Sequence, residues 1–156
     1  MKLNLGANDR RVEGFISVDV CPPADQIADL TQPWPWETSS VDEVLAFDVV
    51  EHLPSKRHTM NELWRVLKPG GKATIEVPNA AKGDGGYCDM THVSFWTLSD
   101  WEYYEKGNFA RERFRNSEYY GVKADFKIIS VTETTPYRTK FGGEVHKMRA
   151  IIEAVK

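Results

Sequence analysis

Cysteine is scarce in this chain: only Cys21 and Cys88 among 156 residues, at a spacing that fits neither a disulfide framework nor a metal-binding knuckle. No metal is therefore expected from the cysteines, and a reduced setting is. An apolar leader and any apolar run of membrane length are also missing, which makes a soluble, cytoplasmic protein with no membrane partner the expectation. Neither sign of charge dominates, since 20 Lys and Arg against 23 Asp and Glu leave a net charge of −3 without a basic block. Nucleic acid as the main partner is disfavoured on that ground. Repeats, low-complexity tracts and a clear linker are absent too. The chain reads as one domain, 1–156, long enough to bury about two thirds of the surface its unfolded form exposes.

What is present is a succession of short Val- and Ile-rich runs at 2–5, 15–20, 41–47, 73–77, 126–132 and 148–155. The early runs are almost continuously apolar, as in strands covered on both faces, whereas the last two alternate and suit an antiparallel hairpin. Between them Met60, Leu63, Trp64 and Leu67 recur at helical spacing, with Pro54 and Ser55 fitting a helix start and Lys68-Pro69-Gly70-Gly71 a stop. A second helix is predicted from Thr97 to Lys106, with a capping box at Thr97 and Asp100 and Gly107 closing it. Only about ten residues separate the first two strands, too few for a full helical crossover. The expectation is an α/β fold: a mostly parallel, Rossmann-like sheet with a C-terminal antiparallel hairpin and a trimmed N-terminal half.

The segment from Lys2 to Asp9 reads as a strand running into a glycine turn, and the next strand ends on Asp19. A turn without a side chain lets a nucleotide-like ligand approach the backbone, and a carboxylate one strand away accepts hydrogen bonds from ribose hydroxyls.

In order, these segments resemble the class I S-adenosylmethionine-dependent methyltransferases, and most closely their small type 11 branch. Leu3-Asn4-Leu5-Gly6-Ala7-Asn8 stands at the family's glycine-rich motif, Asp19 at its ribose-binding acid and Ala28-Asp29-Leu30 at its adenine border. Phe47-Asp48-Val49-Val50-Glu51-His52-Leu53 resembles the segment with a recurrent Glu-His pair. Arg65-Val66-Leu67-Lys68-Pro69-Gly70-Gly71 is the most specific match, and His92-Val93-Ser94-Phe95-Trp96-Thr97 resembles a later His-containing stretch. The resemblance implies S-adenosylmethionine as cofactor, held by Leu5, Gly6, Ala7, Asn8, Asp19, Val20, Asp29, Leu30, Phe47 and Asp48, and methyl transfer to a small-molecule substrate. Where the family has Gly-x-Gly, this chain has Gly6-Ala7-Asn8, and Asn is a residue that tolerates a left-handed turn. The first strand begins almost at Met1, so no N-terminal helical cap is expected over the substrate.

A hydroxyl or carboxyl acceptor is slightly preferred to an amine, because histidine supplies a base near neutral pH. His52, His92 and Asp89 are the candidate catalytic residues, the last two in a Gly-rich stretch that reads either as a loop over the site or as a solvated turn. His52 reads equally as a capping or packing histidine, and Phe47 equally as core. Trp34-Pro35-Trp36 reads first as a loop pinned to the sheet edge and second as a pocket wall. The Arg- and aromatic-rich stretch 109–120 reads as a solvated segment, an acceptor wall or an oligomer contact. The oligomeric state is open, with a homodimer among the possibilities. Two alternatives to methyl transfer stand beside it: a non-catalytic cofactor-binding or scaffold module, and an enzyme that cleaves the cofactor without transferring methyl.

Overall fold

The computed structural model describes residues 1–113, 119–140 and 142–156. Among the described residues eight strands form one sheet: β1 (Lys2–Leu5), β2 (Ile16–Asp19), β3 (Gln26–Ile27), β4 (Val41–Phe47), β5 (Leu67–Gly83), β6 (Phe126–Glu133), β7 (Tyr137–Arg138) and β8 (Glu144–Ala154). Their order is β3-β2-β1-β4-β5-β8-β6, with β7 paired to β8. The first five are parallel, and β8 runs antiparallel between β5 and β6. The expected hairpin thus forms, but its second strand is inserted into the sheet, so that β6 lies at the edge. β3 and β7, with two residues each, carry no periodicity and were not among the expected strands.

Helix α1 (Lys56–Val66) begins where the sequence places it, the Ser55 hydroxyl accepting from the His58 amide. Its periodic residues Met60 and Leu63 are buried. Burial of each such side chain favours folding by about 1.5–3 kcal/mol. The run that follows leads directly into β5, Leu67 pairing with Val41 before a register shift at Gly70-Gly71. Arg65 explains much of that run's specificity. Its guanidinium donates to the Trp34 and Trp36 carbonyls at 3.0 and 2.8 Å and to Glu62 at 2.7 and 2.8 Å, fastening a loop to the helix. Both tryptophans are buried, ring edge to ring face. The first of the two readings, a pinned loop, holds.

Helix α2 (Leu98–Glu102) carries the expected capping box but is shorter than expected. Beyond Glu102 the bonds tighten to the three-residue kind, Tyr104 to Trp101 and Glu105 to Glu102, so the segment continues as turns toward Gly107 at φ +80°. Helix α3 (Phe109–Arg113) turns Arg111 inward, where it donates to the Ala124 carbonyl at 2.7 Å. Phe109, Tyr119 and Tyr120 are exposed, and residues 114–118 of that stretch lie outside the described residues.

No helix occurs among the described residues between β1 and β4. The N-terminal half is trimmed, as expected, and its connections are turns. Alternate residues of β4, β5 and β8 face the core, while the opposite face carries cross-strand ion pairs such as Lys2–Glu43 and Arg149–Glu76, both at 2.7 Å. No helix among the described residues is long and apolar enough to cross a membrane.

Candidate functional site

Strand order reverses direction between β1 and β4, and the loops leaving their carboxyl ends part there. In open parallel sheets a crevice opens at such a point. Here it is a cavity of about 410 Å³. Of the expected cofactor residues, Gly6, Asn8, Asp19, Val20, Asp29, Leu30 and Asp48 line it, together with His52. Thr31 completes the wall with Ala28, Val49 and Leu53, which lie in the segments the resemblance rests on but were not among the expected cofactor residues. Leu5 and Ala7 are buried beneath it, the Ala7 amide donating to Val18 at 3.0 Å. Phe47 is half-buried outside it, under the Arg149 guanidinium at 5.9 Å.

The turn has the backbone its sequence requires. Gly6 sits at φ +61° and Asn8 at φ +48°, so Asn8 supplies the left-handed residue that the missing second glycine would. A Cβ on Gly6 would lie 2.5 Å from the Val49 side chain, which shows how closely the β1 turn approaches the segment after β4. Asp19 reaches across from β2: its Oδ2 accepts from the Asn8 amide at 2.8 Å and its Oδ1 from the Val20 amide at 2.7 Å. A carboxylate offers about four lone pairs. With the Cys21 thiol a weak third contact on Oδ1 at 3.7 Å, one lone pair on Oδ2 remains open for a ligand. Asp29 is committed to its own turn, accepting from the Thr31 amide and hydroxyl at 2.9 and 2.7 Å, which hold its pKa below the usual carboxylate value.

Asp48 follows β4 at φ +54°, a conformation that Asp adopts more readily than most residues with a side chain, and sends the chain into a single 3-10 turn, Val50–His52. Its carboxylate is held by Lys147 at 2.6 Å. Asp48 and His52 also line a second, adjacent chamber of about 230 Å³ with Glu51, Asp89 and His92. The structure therefore brings all three candidate catalytic residues to one place, beside the first cavity. The Val93 and Ser94 amides both donate to the Glu51 carbonyl at 2.9 Å and the Ser94 hydroxyl to the Val50 carbonyl at 2.9 Å, docking the 92–94 stretch on the 3-10 turn. His52 and His92 meet ring edge to face, centroids 4.9 Å apart.

Glu51 stands out in this chamber. It is 2% exposed, and neither carboxylate oxygen has a hydrogen-bond partner among the described residues. Burial raises its pKa to about 7. The sequence offered only its place beside His52, because its burial depends on a segment some forty residues further along the chain.

The methyltransferase-domain family profile matches residues 9–75. A probable S-adenosylmethionine-dependent methyltransferase of Mycolicibacterium smegmatis is 42% identical over 45 residues, which is 29% of this chain and 18% of that relative. The chain is similar to the methyltransferase domains over this stretch. The matched stretch thus spans under a fifth of the curated relative's length. Solved structures extend the likeness in fold to nearly the whole domain. A Bacillus halodurans putative methyltransferase has a TM-score of 0.66 at 13% identity, covering 99% of this chain and 92% of its own. The Bacillus subtilis YcgJ protein has 0.63 at 12% identity, covering 99% and 92%. A 1,6-didemethyltoxoflavin N1-methyltransferase of Burkholderia thailandensis, with its substrate and S-adenosylhomocysteine bound, has 0.64 at 14% identity, covering 99% and 71%. The curated relative is named for S-adenosylmethionine and the Burkholderia structure holds S-adenosylhomocysteine.

Proposed function

We propose that this domain transfers a methyl group from S-adenosylmethionine to a small-molecule oxygen acceptor. The observation that carries the reading is the carboxylate of Asp19, anchored on the Asn8 and Val20 amides at the mouth of a cavity walled by Ala28, Leu30, Val49 and Leu53. Those groups fit an adenosyl moiety: an apolar slot for the base, and for the ribose hydroxyls a carboxylate with one open lone pair on Oδ2 and only a weak thiol contact to displace on Oδ1. The volume suits one small ligand, such sites running from about 300 to 1,000 Å³. When bound, the cofactor supplies a sulfonium methyl open to in-line attack.

In this reading Asp19 binds the ribose, Asp29 and Leu30 border the adenine, and the side-chain-free Gly6 faces the amino-acid end, the Ala7 and Asn8 amides being taken by Val18 and Asp19. Asp48 and His52 form the boundary shared with the second chamber, where Asp89 and His92 contact and orient the acceptor. The chain's work is positioning and electrostatics, which supply much of the acceleration when a reacting pair is held in near-attack geometry. The acceptor chamber carries Asp48, Glu51 and Asp89 against one lysine, Lys147. A neutral hydroxyl suits those charges better than a free carboxylate, and a carboxyl acceptor needs an added cation there.

The test is product analysis with candidate acceptors. Formation of S-adenosylhomocysteine in step with a methylated product supports the reading. Cofactor fragments other than S-adenosylhomocysteine would point to cleavage without transfer.

A further inference from the structure

In the acceptor chamber, electron pairs converge with no donor between them. One donor atom each from Glu51, His52 and His92 lies within 4.8 Å of the other two. His92 Nδ1 is 3.2 Å from the Gly86 carbonyl, so Nδ1 carries the proton and donates. Its Nε2 lone pair then faces Glu51 Oε1 and Asp89 Oδ2, each at 3.9 Å. His52 Nδ1 lies 3.2 Å from the Thr91 carbonyl and 3.0 Å from the Thr91 hydroxyl, whose own proton goes to Asp89 Oδ1 at 2.6 Å. Both contacts are acceptors for Nδ1–H, which leaves Nε2 of His52 as that ring's free lone pair.

The Glu51 carboxylate is buried in the middle of this set without a hydrogen-bond partner among the described residues. A buried charge without a partner is costly, and such groups pair or coordinate metals. Lys147 reaches the same chamber but is held by Asp48 at 2.6 Å and lies 3.7 Å from Glu76. What the set lacks is a cation that can accept two imidazole lone pairs.

We propose that Glu51, His52 and His92 bind one divalent transition cation of the zinc or cobalt type, with Asp89 at its open side. Two imidazoles and a carboxylate favour such an ion over Mg²⁺ or Ca²⁺, which take oxygen ligands. Gly86 on His92 and Thr91 on His52 are the outer hydrogen bonds that fix tautomer and ring orientation in metal-binding histidines. Ligands of a tetrahedral ion with bonds of about 2.0–2.2 Å stand about 3.3 Å apart, so small side-chain rotations close the cluster. A role for the cation in acidifying an acceptor hydroxyl rests on the methyl-transfer reading, and His52 and His92 then act on the acceptor through the metal. Binding of the metal does not rest on it.

The experiment is calorimetric titration of the chelator-stripped chain with Zn²⁺ alone, paired with Co²⁺ titration followed by visible absorption. Expected are one equivalent per chain, micromolar or tighter, and a Co²⁺ spectrum with low-coordinate intensity. Glu51→Gln, His52→Ala and His92→Ala should each weaken binding at least tenfold. S-adenosylhomocysteine affinity should stay within threefold in Glu51→Gln and His92→Ala and so report an intact fold, while for His52→Ala, whose side chain also lines the first cavity, the thermal midpoint reports it. His52→Ala removes the most exposed of the three side chains and serves if the buried variants fail to fold. No binding by the unsubstituted chain, or binding that survives in every variant that folds, would overturn the site. Loss of S-adenosylhomocysteine binding with metal binding retained would count against the methyl-transfer reading alone.

Discussion

The Asp19 carboxylate accepts the Asn8 backbone amide at 2.8 Å, tying the end of β2 to the turn that follows β1. One side chain thereby holds the shape of the turn and faces the cavity. Asp19→Ala should raise the dissociation constant for S-adenosylhomocysteine about ten- to a hundredfold, since a hydrogen bond to a charged group contributes about 1.5–3 kcal/mol. Asp19→Asn, which keeps one carbonyl acceptor, should lose less. Calorimetry on both variants checks the order, and equal affinity in all three forms would remove Asp19 from the site.

The turn itself makes a second test. Gly6→Ala places a methyl 2.5 Å from Val49 at φ +61°, a strain of about 1–3 kcal/mol, and should lower the thermal midpoint. Adding Val49→Ala should recover the steric part and leave the backbone part. Asn8→Gly should be tolerated and Asn8→Val should not, because only the latter resists φ +48°. Indifference to Asn8→Val would contradict the conformation.

His92→Ala should lower turnover at least tenfold and leave cofactor affinity nearly unchanged, because the side chain lies in the second chamber and not in the first. The readout is kcat beside the S-adenosylhomocysteine dissociation constant. Parallel losses in both would place His92 in the cofactor cavity or in the folding of the domain.

Much of the framework was legible because its signals are local. Helix α1 runs within a residue of its expected bounds, since Met60, Leu63 and the Ser55 cap are all short-range features. The expected turn residues Gly6, Asn8, Asp19 and Asp48 converge because they end strands that parallel pairing brings together. The insertion of β8 between β5 and β6 was not legible, since pairing between residues as far apart as Lys72 and Glu153 leaves no periodic trace. Neither was the role of Glu51. A Glu beside a His reads as surface until Val93 and Ser94 close over it. Phe47 illustrates the opposite case, a residue next to the crevice in sequence whose alternating strand position turns it toward Arg149.

Acid stability should depend on Glu62. Its carboxylate, held mainly by Arg65, has a pKa below 4.5, so the pair contributes stability that is full above the unfolded value and is lost as the pH falls through the lower folded one. Thermal midpoints of the unsubstituted chain should therefore drop below about pH 4.3. Glu62→Gln should be less stable at pH 7 and show a shallower acid decline. Parallel profiles would show that the link between α1 and the Trp34–Trp36 loop does not depend on charge.

The central claim is that the cavity between the β1 turn and the segment after β4 holds the adenosyl cofactor. Calorimetric titration of the intact chain with S-adenosylmethionine and S-adenosylhomocysteine tests it most directly. A single saturable site with a micromolar dissociation constant, about −8 kcal/mol, weakened in Asp19→Ala, is the expected result. Absence of binding by both ligands to the folded chain would contradict it.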